Sequence, residues 1–439
     1  MIHEHGIPPE DVFDPKIHLA YAPPTRSFTL DELKIQPSET STDIAATVPF
    51  PILSYEGVRA YRRSLFSQPI LQQCASSPYP GTLILRNVAE HSTFIHDFWT
   101  HPMTLRLVSD AAGLPLSIVM PTEIGHTNIQ TSGVTMEEMI AELSVEPDTT
   151  KVQLSEEEKA YDPLTSKSII PWHYDSYPYV CVLMLSDTEA MVGGETYIKG
   201  GDGVATKVEG PALGHGVFLQ GGQVQHLAAR GLGVKERIST ITSYCANVPG
   251  VYDSSYITNI RPYSDITVLY KQWAAFRLEK LRLEVERLQK DIAESKGPLD
   301  VAKVHNLAEN QIVYLKRTAR QLIPYDEYQV LQQRFGRRNI QNTAAIWEKV
   351  QDLPEYTERV GSIGQRDWMP ESPLWTDLAE SQANIQAGRV LQAQTGRYKW
   401  QKARSFSMGD ELLRQGLPEL FLSWLNVTGL YALVLPMLT

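Results

Sequence analysis

Along the first fifty residues the apolar positions are scattered among Pro, Ser and Thr, and 1–50 reads as an extended arm. Between 55 and 116 the apolar spacing becomes helical around 57–71 and 91–112, with the run GTLILRNV (81–88) as a strand between them. From 116 to 244 the pattern shifts to short β-type runs: SIVMPTEIGHTNIQ, YVCVLML, ETYIKG, GVFLQG and RISTITSY. Turns such as MVGGE, GGDG and EGPALGHG separate them, and an acidic insert near 134–162 interrupts the series. Several short strands with turns at this spacing predict a sandwich or barrel.

After about residue 264 the period lengthens again. Ser264 and Asp265 offer a cap, and Ile266, Leu269, Trp273, Phe276, Leu281, Val285, Leu288 and Ile292 follow at heptad-like spacing up to Gly297-Pro298. A second helical pattern covers 299–323, and shorter ones lie near 324–335 and 339–351. Two readings of this extension stay open: a helical hairpin packing on itself and on the β domain, or a dimerisation element. The stretch 374–414 is polar and weakly helical. From Leu420 to Leu435 there are no charges, but this run is shorter than the ~20 residues of a spanning helix and contains Ser423, Asn426, Thr428 and Gly429. It reads as a docked or partner-binding helix rather than a tail anchor. The expected organisation is an arm (1–50), a β-rich domain (51–255), a helical extension (256–415) and an apolar C-terminal segment (416–439).

Composition narrows the class. The 439 residues are 42% hydrophobic and 21% charged, the balance of a globular chain and not of a disordered or fibrous one. The net charge of −11 comes without a basic block, so neither nucleic acid nor an anionic membrane is an expected partner. Cys74, Cys181 and Cys245 are too few and too far apart for a disulfide framework. With an N-terminus lacking the apolar core of a signal peptide, they point to a reducing, cytoplasmic setting.

The chemistry concentrates in Trp172-His173-Tyr174-Asp175, where an imidazole and a carboxylate are two residues apart. On a strand both would point to one face. A third ligand from another strand would complete a facial metal site, and His226 in GQVQHLAARG is the best candidate. Two histidines and one carboxylate with open positions form the ligand set of non-haem Fe(II) oxygenases. His215 is a rival read as a loop residue. Eleven positions past His226 comes Arg237, with Ser239 on the same strand face. A guanidinium and a hydroxyl make a carboxylate clamp. The rival anchor is Arg230, and the plain alternative for Arg237 is a surface ion pair with Glu236 or Glu209.

His-x-Asp, about fifty residues, His, ten residues and Arg-x-Ser closely resembles the 2-oxoglutarate/Fe(II)-dependent dioxygenase superfamily over roughly 117–247. The terminal Arg-x-Ser is similar to the isopenicillin-N-synthase-like branch, and the chain as a whole to fungal dioxygenases of specialised metabolism. The resemblance implies a mixed α+β fold: a double-stranded β-helix (jelly-roll) core with N-terminal helices and a C-terminal helical extension. It implies Fe(II) on His173, Asp175 and His226, 2-oxoglutarate as cosubstrate on Arg237 and Ser239, and O2 as co-reactant. A C–H bond of a small organic substrate would be hydroxylated, desaturated or cyclised, with succinate and CO2 released. The Asn-Tyr-Tyr-like strand of plant-type members is absent. GHTNIQ is the candidate equivalent, with His126 or Asn128 facing the site, and Trp172 and Tyr174 are further candidates for the substrate pocket. If the helical extension is the dimerisation element, the partner arrangement is a homodimer through it, beside a small-molecule substrate. Two other readings remain: a triad-iron oxidase that does not use 2-oxoglutarate, and a non-enzymatic helical scaffold on a decayed barrel.

Overall fold

The computed structural model describes residues 11–329, apart from 38–41, 80, 166–169, 249–250, 252, 259 and 262–263. The patterns at 339–351, 374–414 and 420–435 lie outside the described residues.

Sixteen strands are present among the described residues. They are β1 (Ser27–Thr29), β2 (Ile44–Thr47), β3 (Phe50–Pro51), β4 (Ala75–Tyr79), β5 (Thr82–Leu85), β6 (Leu116–Ile118), β7 (His126–Thr131) and β8 (Ile170–His173). The rest are β9 (Tyr179–Met184), β10 (Val192–Gly193), β11 (Thr196–Lys199), β12 (Ala205–Lys207), β13 (His215–Leu219), β14 (Gln225–Ala228), β15 (Gly231–Leu232) and β16 (Glu236–Ala246). The larger sheet runs β1-β2-β13-β9-β16-β7-β5-β4, with β3 added on β13 and β6 on β16. A four-stranded sheet runs β12-β11-β14-β8, and β10 pairs with β15 in a separate ribbon. The strand pairs are antiparallel, as hairpin-rich segments with short Gly turns require. Two of the strands, β1 and β2, come from the expected N-terminal arm, which therefore joins the large sheet.

The eleven-residue β16 is the spine, bonded to β9 on one side and β7 on the other. Its alternation sorts the two faces of the large sheet. Ile238 and Tyr244 share a buried cluster with Leu83, Leu85, Ile129, Leu183 and Phe218, and with Tyr61, Leu65, Phe94 and Phe98 from the helices. Those helices are α1 (Pro15–His18), α2 (Tyr55–Leu65), α3 (Gln68–Gln73), α4 (Thr93–Thr100) and α5 (Pro102–Ala112). Each such fully buried apolar side chain contributes about 1.5–3 kcal/mol. On the opposite face Val180 and Leu219 pack with Ile198 and Val208 of the small sheet and with Phe28 and Leu30. The two sheets therefore share an apolar interior, and Arg237, Ser239 and Ser243 of β16, with His126 and Asn128 of β7, alternate onto that same inner face.

The acidic insert folds into two single-turn helices, α6 (Met136–Ala141) and α7 (Glu156–Lys159), each begun by a capping box. Beyond the β domain, α8 (Ile266–Glu294) starts where the Asp265 carboxylate accepts from the Thr267 amide, and α9 (Val301–Arg320) returns against it. Arg277 locks this pair to the body. It lies flat over the Tyr314 ring at 3.4 Å and ion-pairs at 2.7 Å with Asp253, both side chains fully buried. Trp273 and Leu269 pack on Tyr177, Val119 and Cys245 of the β domain. All three cysteines are buried free thiols. No helix among the described residues is long and apolar enough to cross a membrane.

Candidate metal centre

The small sheet brings the two imidazoles together. His226 on β14 is the direct register partner of His173 at the end of β8, and their ring centroids are 4.2 Å apart. The His226 Nδ1 lies 2.9 Å from the Val224 carbonyl, so this nitrogen carries the proton and Nε2 is left to bind an ion.

Asp175 arrives differently from the sequence expectation. Strand β8 ends at His173, so His173 and Asp175 do not share a strand face. Instead the Asp175 amide donates to the Gly221 carbonyl at 2.8 Å, in the turn between β13 and β14. This bond holds the carboxylate beside both rings, with Oδ1 3.6 Å from His173 Nε2 and Oδ2 3.5 Å from His226 Nε2. A ligand atom from each of His173, Asp175 and His226 lies within 4.8 Å of the others. Burial by itself would raise the Asp175 carboxyl, but the facing His226 and His173 outweigh it and hold it well below the usual range. Burial likewise works against the His226 imidazolium, and Asp175 outweighs it, so the His226 pKa is raised.

The donor set fits a metal. It offers two neutral-capable imidazoles and one ionised carboxylate, and the buried Asp175 Oδ2 makes no hydrogen bond in the protein. Buried charged oxygens are seldom left so. Space has been reserved for that carboxylate as well. A Cβ on Gly221 would lie 1.8 Å from Asp175 Oδ2, so only glycine fits opposite it.

Arg237 and Ser239 both lie on β16 and both are buried. Arg237 makes two long bonds, 3.3 Å to the Ser239 hydroxyl and 3.3 Å to the Gly194 carbonyl, and its Nε has no partner. Burial pushes its pKa down to about 10, which leaves it cationic at neutral pH. The alternative of a surface ion pair with Glu236 does not hold. Glu236 faces the other way and is 2.7 Å from the fully buried Arg62, whose guanidinium also holds the Ser144 and Leu185 carbonyls. Gly231 closes over the Arg237 chain, where an added Cβ would come within 3.0 Å of its Cδ. Arg230 is exposed, and His215 Nδ1 is engaged 2.9 Å from the Leu213 carbonyl on β13.

Register places the other candidates. Asn128 pairs with Ser239, and His126 with Ile241, so both share the β16 face that carries Arg237. Trp172 alternates to the opposite side of β8 from His173, and the Lys199 ammonium sits 4.5 Å over its ring. Tyr174 is half-buried just past the strand, its hydroxyl pKa raised by burial. Two structural features beside the cluster escaped the sequence reading: Gly221, signalled only by the Gly-Gly step before His226, and the buried Arg86, inside the run taken as a plain strand. A separate cavity of 390 Å³ lies between α8 and α9 and shares no lining residue with this centre.

No protein-family model matches the chain, and no curated protein does. Among solved structures, the chain is similar to an oxidoreductase of the 2OG-Fe(II) oxygenase family from Burkholderia pseudomallei, at 14% identity and a TM-score of 0.26, covering 40% of this chain and 74% of that one. It is also similar to HygX from Streptomyces hygroscopicus with nickel, 2-oxoglutarate and hygromycin B bound, at 15% identity and a TM-score of 0.29, covering 49% and 86%. A Pseudomonas putida prolyl-4-hydroxylase is similar at 15% identity and a TM-score of 0.25, covering 45% and 89%. At these identities and TM-scores the functional reading rests on the side chains themselves.

Proposed function

We propose that this chain is a non-haem Fe(II)- and 2-oxoglutarate-dependent dioxygenase on a double-stranded β-helix, oxidising a C–H bond of a small organic substrate. The observation that carries this reading is Arg237: a buried guanidinium with no carboxylate partner, on the inner sheet face, in the same interior as a His–Asp–His cluster. An unpaired buried cation costs several kcal/mol, so the site is built to receive an anion.

His173, Asp175 and His226 would hold the iron, and Arg237 with Ser239 would hold the far carboxylate of 2-oxoglutarate. Bound there, the iron and oxo-acid supply the oxidation, in which O2, 2-oxoglutarate and substrate become succinate, CO2 and oxidised product. The protein's part is positional. The Val224 carbonyl sets the His226 ring, the Gly221 carbonyl sets Asp175, and Ser239 and Gly194 hold the guanidinium in place. Which product forms depends on the C–H bond that the pocket presents.

Anomalous diffraction from crystals grown with Mn(II) and 2-oxoglutarate tests this. One ion is expected among the three side chains, with the far carboxylate on Arg237. An ion bound elsewhere, or an oxo-acid that leaves Arg237 untouched, would contradict it.

A further inference from the structure

Beside β7 the inner sheet face carries a second charged group that the His–Asp–His cluster does not include. Arg86, at the end of β5, is buried and ion-paired with buried Glu123. Its other terminal nitrogen lies 3.4 Å from His126 Nδ1. A guanidinium has no acceptor, so this contact makes Nδ1 the acceptor and puts the imidazole proton on Nε2. Burial and the Arg86 charge hold the His126 pKa well below its ordinary value, so the ring is neutral and the tautomer is fixed. The resulting Nε2–H is shielded from solvent and has no partner among the described residues, and Arg86 Nε is in the same condition. Unmet buried donors on two contacting side chains call for a ligand acceptor.

The ladder says where that acceptor would lie. Ser239 faces Asn128, and His126 follows two residues further along β7, about 7 Å away. That offset is of the order of the end-to-end length of a five-carbon diacid. Asp175 also acts electrostatically on both His126 and Glu123, which places this cluster on the metal side of the site.

We infer that His126 Nε2–H, fixed by Arg86, donates to the metal-proximal carboxylate of the bound 2-oxo acid, at the opposite end from Arg237. This rests on the proposed function. His126 would touch the cosubstrate, and Arg86 is a positioning residue acting through it.

The test has two parts. Long-range 1H–15N correlation of the histidine-labelled protein, with His126 assigned by its substitution, should show an Nε2–H tautomer. In Arg86→Met the Nδ1–H form should appear. An Nδ1–H or doubly protonated ring in the wild type would overturn the inference. Titration of 2-oxoglutarate into Mn(II)-loaded, oxygen-free protein should then show His126→Phe binding about 10- to 100-fold more weakly. His126→Gln, whose amide reaches the Nε2 position, should recover to within about fivefold. Unchanged affinity in His126→Phe would sink the inference while leaving the enzyme class standing. A wild type that binds Mn(II) but no 2-oxoglutarate would instead sink the proposed function. If His126→Phe loses Mn(II) as well, the decision passes to the tautomer and to His126→Gln.

Discussion

His173 and His226 are Cα partners across two antiparallel strands, with their rings 4.2 Å apart and Asp175 reaching both from the irregular segment after β8. The two imidazoles, in direct register, are held by the sheet itself, whereas the carboxylate depends on a single backbone bond to Gly221. The centre is therefore rigid on one side and fragile on the other.

That asymmetry makes Gly221 a sensitive position. Gly221→Ala should leave the fold intact but displace Asp175, because the new Cβ would overlap Oδ2. Mn(II) affinity, followed by paramagnetic resonance, should drop at least as far as on loss of an outer-shell partner, about 10- to 100-fold. Wild-type affinity in a folded Gly221→Ala protein would show that Asp175 is not a ligand.

Removing the carboxylate should do more. Asp175→Ala takes away the one anionic donor and should weaken Mn(II) by more than about 100-fold. It should leave the circular dichroism unchanged, since Asp175 makes no hydrogen bond through Oδ2.

Arg237 makes opposite predictions for stability and binding. Without ligand it is a buried charge lacking a counter-ion, so Arg237→Met should raise the melting temperature of the apo-protein by about 2 °C or more. The same change should weaken 2-oxoglutarate by about 30-fold or more and leave Mn(II) binding alone. Calorimetry and titration on one preparation check both. A destabilised apo-protein would mean that Arg237 is held by partners other than Ser239 and Gly194.

The helical extension should respond to acid through Asp253. Burial opposes its ionised form, but Arg277 and Lys280 outweigh that, so its folded pKa is depressed. Its contribution is thus present above the unfolded value of about 3.9 and is lost as pH falls through the lower folded value. Asp253→Ala, which strands Arg277, should cost about 3–5 kcal/mol at neutral pH. Denaturant titration at pH 7 and below pH 4 should show the gap between wild type and variant closing in acid.

How much of this could be read from the chain alone follows from the range of each interaction. The strand runs, the Asp265 cap and the pairing of Arg237 with Ser239 are local patterns, and they emerge from periods of two and 3.6. The His-x-Asp motif pointed to residues that do cluster, though not to their geometry, because the strand stops at His173 and Asp175 comes from the irregular segment after it. Strands β1 and β2 were hidden since three- and four-residue runs carry little periodic signal. What binds β2 is pairing with β13, about 170 residues away, and β1 is held in turn on β2. The partners of Arg86 and Glu236 could not be read for the same reason: Glu123 and Arg62 come to them only when helices and sheet close. Trp172 follows the strand rule instead: adjacent to His173 on β8, it alternates to the other face, where Lys199 covers its ring.

The most direct test of the central claim is an oxygen-free titration of the apo-protein with Fe(II), followed by 2-oxoglutarate, monitored by absorbance and heat. One Fe(II) per chain is expected first, then one 2-oxoglutarate that binds tightly only to the iron-loaded form and develops a visible band. A protein that takes up neither, or that binds 2-oxoglutarate equally well without iron, would contradict the account.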